Sequence, residues 1–318
     1  MQTLASPTAS LFALVGPTAS GKTNLALELC QRFPFEIISV DSALVYRDMN
    51  IGTAKPTPEE RSRVPHHLID ICSPVDAYSA AQFVEDTQLA IQRITERGHW
   101  PLLVGGTFLY LNALINGLSD LPTALPEYRA QLDAEALKLG WPILHNRLRT
   151  FDPITAERID PNDRQRIQRA LEIIYQTGKP LAEAFTERKS KLKQTPIIIG
   201  LDINRSLLHD RIAERFATMV RQGLLNEVTM LKKHYPALHS DLPSMRCVGY
   251  RQAWQYLKAP ELNPDWIERG IIATRQLAKR QITWMRHFKG APIHFFDPIS
   301  PQVLNQLSDF ISNHYECL

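Results

Sequence analysis

The segment from Gly16 to Thr23 has the residue types and the spacing needed to hold a chain of phosphates. Its sequence, Gly-Pro-Thr-Ala-Ser-Gly-Lys-Thr, matches the pattern G-x-x-x-x-G-K-S/T at every fixed position. In such a loop the backbone amides close around phosphate oxygens, and the next helix N-terminus and the lysine add positive charge. The hydroxyl of Thr23 can bind Mg²⁺. The predicted phosphate-binding residues are Gly16, Pro17, Thr18, Ala19, Ser20, Gly21, Lys22 and Thr23.

A carboxylate follows a second apolar run. Residues 37–40 are Ile-Ile-Ser-Val, and Asp41 comes directly after them. An acid at the carboxyl end of such a strand can orient Mg²⁺ on a phosphate, or it can accept a proton from an attacking group. The neighbouring loop segments, 42–46 and 52–56, are expected at the same edge of the sheet, where ligands bind in this architecture. The sequence chemistry alone leaves both roles of Asp41 open.

The charge of the chain is unevenly distributed. The formal net charge is only +3, but residues 244–290 contain nine Lys or Arg and three Asp or Glu. Basic groups neutralise phosphates and aromatic faces stack on bases, so such a segment fits a partner made of nucleic acid. A solvated helix face over ordinary core aromatics fits the same pattern. The interleaved aromatic residues are Trp254, Tyr256, Trp266, Trp284 and Phe288.

The elements that must position these residues alternate between strand and helix. Apolar runs predict strands at 10–15, 36–40, 67–71, 100–104, 197–201 and 292–296. Helical spacing is found at 23–33, from a capping box at Ser79 to about residue 97, and over 163–175, 205–235 and 253–289. Residues 119–194 contain no convincing strand.

This order predicts an α/β fold. We expect a mostly parallel sheet of the P-loop NTPase type with helices on both faces, plus an all-helical insertion domain. The predicted core comprises residues 1–118 and 195–318, and the predicted insertion, which we expect to contact the partner, comprises residues 119–194.

Composition excludes several classes of protein. With 44% hydrophobic and 22% charged residues among 318, the chain is typical of a globular protein and not of a disordered or fibrous one. No apolar run approaches the ~18 residues of a membrane span, and no basic residue precedes the first apolar stretch as in a secretory signal. Four widely spaced cysteines argue against a zinc site or a disulfide framework. We therefore expect a cytoplasmic protein, monomeric by default, without a membrane partner.

Six segments, in order between about residues 10 and 290, closely resemble the bacterial tRNA dimethylallyltransferase family. They are GPTASGKT (16–23), VDSALVY (40–46), GTAKP (52–56), VGGT (104–107), RCVGYR (246–251) and TRQLAKRQITW (274–284). The combination is highly specific, although the phosphate loop alone is not. The resemblance implies transfer of a dimethylallyl group from dimethylallyl diphosphate to N6 of the adenosine immediately 3′ of the anticodon in tRNA, with release of diphosphate.

The resemblance also implies roles for individual residues. Asp41 is the general base, Thr107 is a partner in the catalytic site, and Arg215 holds the diphosphate together with the loop. Mg²⁺ is the expected cofactor, with Thr23 as its ligand. Because an aromatic amine is a poor nucleophile, a carboxylate that accepts its proton would assist the reaction.

The same resemblance implies contacts with the anticodon stem-loop of tRNA. Among the implied residues, Ala43, Leu44, Cys247 and Val248 are expected to act through backbone or packing, and Ile282 and Trp284 to lie in the core. The implied contact residues are Asp41, Ser42, Ala43, Leu44, Thr107, Arg129, Gln165, Arg166, Ile167, Gln168, Arg169, Arg246, Cys247, Val248, Gly249, Tyr250, Arg251, Lys279, Arg280, Gln281, Ile282, Thr283, Trp284, Met285 and Arg286.

Two other functions fit parts of the sequence. The phosphate loop alone fits a kinase that acts on a nucleotide or a small alcohol; a GTPase is disfavoured because no K-x-D triplet is present to read the base. The loop and the basic segment together fit an RNA-binding protein that responds to a nucleotide and performs no chemistry.

Overall fold

The computed structural model describes residues 11–184, 190 and 192–315. Within them, six strands form one parallel sheet of order β3-β2-β4-β1-β5-β6. This confirms the predicted α/β fold with a mostly parallel sheet. The strands are β1 (Phe12–Val15), β2 (Phe35–Val40), β3 (His66–His67), β4 (Trp100–Gly105), β5 (Ile197–Leu201) and β6 (Ile293–Phe296).

The central strands are apolar because both faces of the sheet are covered. All residues of β1 and β2 are buried, as is usual for parallel strands that lie between two layers of helices. Successive side chains enter different cores: Ala13 and Val15 pack in one cluster, and Phe12 and Leu14 pack in the other. The continuous apolar runs of the sequence therefore predicted these strands correctly.

The chain divides into two compact units. The sheet unit comprises the described residues up to Ile115 and from residue 192 onward, and the helical unit extends from Asn116 to Ser190, against the predicted 119–194. The helices of the sheet unit are α1 (Lys22–Arg32), α2 (Pro58–Arg63), α3 (Ala80–Glu96), α4 (Phe108–Asn116, which ends at the boundary), α10 (Arg205–Arg221), α11 (Leu224–His234), α12 (Tyr250–Lys258), α13 (Trp266–Arg286) and α14 (Val303–Tyr315).

The helical unit contains its own core. Its helices surround the buried residues Leu132, Leu144, Leu148 and Ile167, and the described part of the unit contains no strand, as its sequence pattern predicted. No helix in the described part of the protein is long and apolar enough to cross a membrane. The helices of the unit are α5 (Pro126–Leu139), α6 (Trp141–Phe151), α7 (Pro153–Glu157), α8 (Arg164–Thr177) and α9 (Leu181–Ala184).

Three predicted elements are shorter than expected. The strand predicted at 67–71 ends at His67, because Leu68 and Asp70 adopt left-handed backbone angles (φ 62° and 58°) that are incompatible with an extended strand. The helix predicted over 205–235 is interrupted at Gly223, where φ is 101°. The helix predicted over 253–289 is interrupted at Pro260, which begins a short 3₁₀ turn between α12 and α13. The capping box at Ser79 is present at the start of α3.

Candidate active site

The phosphate loop has the backbone shape expected of an anion cradle. The loop connects β1 to α1. Ala19 and Gly21 within it have positive φ angles of 64° and 98°. Lys22 Nζ donates a hydrogen bond of 2.7 Å to the carbonyl oxygen of Pro17, which folds the side chain over the loop. The hydroxyl of Ser20 is buried and has no hydrogen-bond partner within the described residues. A buried polar atom without a partner is costly, so a ligand with acceptor oxygens would stabilise this loop.

Asp41 and Thr107 are joined through the turn that follows β2. Asp41 Oδ1 accepts hydrogen bonds from the amides of Ala43 (2.8 Å) and Leu44 (3.3 Å). The Ser42 amide donates to Thr107 Oγ1 at 3.1 Å, and the Thr107 amide donates to the carbonyl oxygen of Val40. Two backbone amides thus orient the Asp41 carboxylate through Oδ1.

A single cavity of about 80 Å³ brings the phosphate loop and Asp41 together at the carboxyl ends of β1, β2 and β4. Arg215 of α10 and Gln281 of α13 reach it from the second half of the sequence. Thr107 does not line the cavity, and it contacts the site through Ser42. The other lining residues are Thr18, Lys22, Thr23, Ala26, Ile37, Ser39, Asp41, Leu44, Thr53, Ala54, Pro56, His66, Ile69, Val104, Gly105 and Gly106.

The electrostatics of the cavity favour an anion. Burial, assisted by the positive charge of Arg215, lowers the pKa of Lys22 to about 7, and Asp41 opposes this shift. Burial also lowers the pKa of Arg215, again opposed by Asp41. The cavity thus places Lys22 and Arg215 against one carboxylate, and a bound diphosphate would favour the charged form of the lysine.

The residues present fit Mg²⁺ only together with a phosphate ligand. No group of three or more His, Cys, Asp or Glu suited to a metal occurs among residues 11–184, 190 and 192–315. The cavity offers the hydroxyl of Thr23 and the carboxylate of Asp41. Mg²⁺ is commonly bound through one or two protein oxygens, with substrate phosphates and water as its other ligands. The donor set therefore suits a magnesium diphosphate rather than a resident metal ion.

Gln281 lies between two loops of the site. Its Oε1 accepts a 2.8 Å hydrogen bond from the amide of Thr18, and its Nε2 donates a 3.0 Å bond to the carbonyl oxygen of Gly106. A Cβ atom on Gly106 would lie 2.5 Å from Gln281 Nε2 and 2.9 Å from the backbone carbonyl oxygen of Gly16, so these contacts explain the glycine. The resemblance implied a contact with tRNA for Gln281, whereas in the structure both ends of its amide bind the protein itself.

A second residue that orders the site, Glu227 of α11, was not predicted from the sequence. Its carboxylate accepts hydrogen bonds from the amides of Asn50 (2.9 Å), Ile51 (2.7 Å) and Gly52 (3.1 Å), and from the hydroxyl of Tyr250 (2.5 Å). It therefore holds the loop that carries Thr53 and Ala54 into the cavity. A single glutamate on an amphipathic helix gives no sequence signal for this role.

Several residues predicted to contact tRNA have buried side chains. Ile167 and Tyr250 are fully buried and Met285 nearly so, which gives them packing roles within their own units. Cys247 also packs against a buried cluster. The expectation that Trp284 lies in the core is wrong, because 46% of the residue is exposed. Ile282 is half-buried against the cluster of Ile203, Leu208, Ile212 and Ala278, as expected.

The predicted contacts in the helical unit are mostly paired with neighbouring side chains. Buried Glu172 accepts bidentate hydrogen bonds from Arg129 (2.8 Å each) and another from Arg169 (2.6 Å). Burial alone would raise the pKa of Glu172, but these hydrogen bonds lower it. Gln168 donates to Asp133 at 2.9 Å. Arg129, Gln168 and Arg169 thus order this unit.

The predicted contact residues that are exposed belong mainly to α8, α13 and the turn after β2. Most aromatic residues of the basic segment pack inward instead: Trp254, Tyr256 and Trp266 belong to one cluster and Phe288 packs against another. The alternative of core aromatics beneath a charged face therefore holds for all but Trp284. The exposed predicted residues are Ser42, Gln165, Arg166, Arg251, Lys279, Arg280, Thr283, Trp284 and Arg286; Ala43, Leu44, Arg246 and Val248 are half-buried, and Gly249 is buried.

Proteins similar to this chain in sequence or in structure are named as enzymes that modify tRNA. A tRNA dimethylallyltransferase from Chromobacterium violaceum is 55% identical to this chain, over 91% of the chain and 89% of its own length. One from Neisseria meningitidis is 53% identical, over 88% of this chain and 90% of its own length. The crystal structure of the full-length tRNA isopentenylpyrophosphate transferase from Bacillus halodurans is similar with a TM-score of 0.69 and 38% identity, covering 97% of both chains. A eukaryotic dimethylallyltransferase acting on tRNA has a TM-score of 0.78 and 30% identity over 96% of this chain and 80% of its own.

The family model described as IPP transferase matches residues 44–288, which include the RCVGYR segment, Arg215 and Gln281. The phosphate loop lies before this range, and the structural match to the Bacillus halodurans enzyme covers 97% of the chain. The family resemblance seen in the sequence is therefore confirmed, and the chain belongs to the IPP transferase family.

Proposed function

We propose that this protein transfers a dimethylallyl group from dimethylallyl diphosphate to N6 of the adenosine 3′ of the anticodon in tRNA, and releases diphosphate. The observation that carries the proposal is the cavity in which a phosphate loop, Arg215 and a carboxylate meet. The names of relatives that are 53–55% identical over most of the chain support the same reaction.

In this proposal the cationic side of the cavity holds the diphosphate. As the bond between the allylic carbon and oxygen breaks, its electron pair stays on the diphosphate and negative charge grows there. Lys22, Arg215 and the loop amides stabilise that charge, and such electrostatic stabilisation is usually the largest single term in catalysis. Mg²⁺, held by Thr23 when bound, would supply further charge neutralisation on the same oxygens.

Asp41 performs the proton transfer in the proposed reaction. As N6 of adenine forms its bond to the allylic carbon, the nitrogen loses a proton, and Asp41 Oδ2 accepts it. Because Oδ1 is held by two backbone amides, the carboxylate is oriented before the substrate arrives. The target base must leave its stack to reach the cavity, and a base in an anticodon loop is already partly unstacked.

The direct test is analysis of nucleosides after reaction. Purified protein is incubated with dimethylallyl diphosphate and unmodified tRNA, and the digested tRNA is examined by mass spectrometry. We expect isopentenyl-adenosine at the position next to the anticodon. Its absence from a folded, tRNA-binding preparation, or transfer of labelled γ-phosphate from ATP to an acceptor, would refute the proposal and favour the RNA-binding protein or the kinase, respectively.

Arg280, exposed on α13, gives a test of the tRNA surface. We expect Arg280→Ala to weaken tRNA binding and to reduce the dependence of log K on log salt by about one, the effect of one lost phosphate contact. The measurement is a titration at several salt concentrations. Arg221→Ala, which removes an exposed arginine from the end of α10, is the control and leaves the salt dependence unchanged. An unchanged slope in Arg280→Ala would exclude a phosphate contact.

Gln281 is a positioning residue in this proposal. Gln281→Met keeps the length of the side chain but removes the bonds to Thr18 and Gly106, so we expect the KM for dimethylallyl diphosphate to rise about 10-fold, which corresponds to about 1.4 kcal/mol from two hydrogen bonds. The Kd for tRNA is expected to change less than about 2-fold on the same energy scale. Gln276→Met makes the same change at an exposed position of α13 and serves as the control. A weaker tRNA complex with unaltered KM for the diphosphate would instead support the RNA contact implied by the resemblance.

A further inference from the structure

A second, larger cavity lies at the carboxyl ends of β5 and β6. Its volume is about 690 Å³, and its walls are formed by α10 and α13. Asp202 and Asp297, which directly follow the two strands, mark its edge. The cavity therefore lies at the same edge of the sheet as the candidate active site, where ligands bind in folds of this kind.

Positive charge dominates the lining of this cavity. Arg205 comes from the first turn of α10, and Arg275, Lys279 and Arg286 come from α13. His209 adds a group that can be protonated. The carboxylates neutralise only part of this charge: Asp202 pairs with Arg286 at 3.7 Å, and Asp297 Oδ1 accepts a 3.0 Å hydrogen bond from the amide of Ile299. Four permanent cations face two carboxylates, which favours an anionic ligand.

One of these cations, Arg275, has a hydrogen-bond donor without a partner in the described part of the chain. The Nε atom of Arg275 is buried and has no hydrogen-bond partner within residues 11–184, 190 and 192–315. A buried donor without an acceptor costs roughly 1–3 kcal/mol. Arg275 also lines the cavity, so its guanidinium group can meet an anionic ligand there.

The remaining wall is apolar and partly open to solvent. Phe295 is 49% exposed and Ile299 is 41% exposed, and both line the cavity. Phe296 lies beside them and packs edge-on against Phe310, with ring centres 5.4 Å apart. An inorganic anion would leave this wall uncovered, and a purely apolar ligand would leave the cations unpaired. A phosphate ester that carries a flat ring satisfies both walls.

We propose that this cavity binds one unpaired nucleotide of the tRNA anticodon loop, with its phosphate against Arg205, Arg275 and Lys279 and its base against Phe295. The inference rests on the proposed function for the identity of the RNA. α13 connects the two sites, since Gln281 faces the first cavity and Ile282 the second. A helix with its side chains is only about 10–12 Å across, so one loop of RNA spans both. Arg205, His209, Arg275 and Phe295 carried no prediction from the sequence.

The test uses the full-length protein and an anticodon stem-loop RNA. We expect Arg275→Gln to weaken RNA binding several-fold and to reduce the salt dependence of binding by about one. Phe295→Ala removes a stacking face and is expected to weaken binding about 5- to 100-fold without changing the salt dependence. Phe295→Tyr, which keeps the ring, is expected to restore binding. The KM for dimethylallyl diphosphate stays unchanged in all three variants, because the diphosphate occupies the other cavity.

Matched measurements separate this inference from the proposed function. Arg221→Gln is the control for charge, and the thermal midpoint of each variant shows that it is folded. If the wild-type protein binds and modifies tRNA while Arg275→Gln and Phe295→Ala bind it equally well, this inference is refuted and the proposed function stands. A rise in the KM for the diphosphate, with tRNA binding intact, would show that the cavity acts on the diphosphate and would likewise refute this inference. If the wild type forms no product, the proposed function fails independently of these variants.

Discussion

Replacement of Asp41 by asparagine is expected to lower kcat by about 10²- to 10⁴-fold, the usual contribution of a general base. The amide oxygen of asparagine can still accept the hydrogen bonds from Ala43 and Leu44, so the turn after β2 keeps its shape. The amide cannot accept the proton from N6. Single-turnover measurement with saturating tRNA and diphosphate isolates this step from binding.

The binding constants and the fold provide the controls for Asp41→Asn. We expect the Kd for tRNA and the thermal midpoint to remain close to those of the wild type. Asp41→Ala removes the turn hydrogen bonds as well, so it separates the structural contribution from the chemical one. An Asp41→Asn protein with near-normal kcat would show that proton removal does not require this carboxylate.

Replacement of Lys22 by methionine is expected to reduce kcat/KM for dimethylallyl diphosphate by about 10²- to 10³-fold, comparable to loss of one donor that stabilises developing charge. Methionine retains much of the apolar stem but loses the positive charge near Arg215 and Asp41. Initial rates at varied diphosphate concentration measure the effect. A loss of tRNA affinity, with diphosphate kinetics unchanged, would contradict the placement of the diphosphate in this loop.

The lowered pKa of Lys22 also predicts a pH dependence. In the unliganded protein this pKa is about 7, so the side chain is increasingly neutral as the pH rises above 7. A bound diphosphate favours the charged form and raises the pKa again. Binding at pH 8 is therefore expected to take up a proton, and affinity is expected to fall with rising pH. Calorimetry in two buffers with different ionisation enthalpies measures the uptake, and Lys22→Met should abolish it.

The same shift has a defined effect on stability. Because the folded protein binds the Lys22 proton less tightly than the unfolded chain, whose lysine titrates near its usual value of 10.5, the unfolded state holds more protons between about pH 7 and 10.5. The contribution of this group to the free energy of unfolding therefore increases with pH in that range. Lys22 therefore lowers the free energy of unfolding most below about pH 7, where its side chain is charged and binds a diphosphate best.

Local patterns in the sequence were sufficient for the phosphate loop and the main strands. The loop from Gly16 to Thr23 needs particular residues at adjacent positions, and its backbone shape follows from them. The strand before Asp41 is mostly apolar because both of its faces are buried. The prediction of a strand over 67–71 was wrong beyond His67, because Leu68 and Asp70 adopt left-handed backbone angles. These angles depend on the surroundings of the two residues in the fold, which the apolar pattern does not describe.

What the amino-acid sequence by itself determined is the local chemistry of this protein: an anion-binding loop, an acid at a strand end, a basic segment, and a set of motifs specific enough to assign the family. Only the tertiary structure decided that Gln281 joins two loops of the site, 263 positions from Thr18, and that Glu227 fastens the loop at Gly52. It also placed Arg205, Arg275 and Phe295 around one cavity. These contacts depend on packing between distant segments, and a hydrogen-bond partner that is hundreds of residues away leaves no trace in the local spacing of residue types.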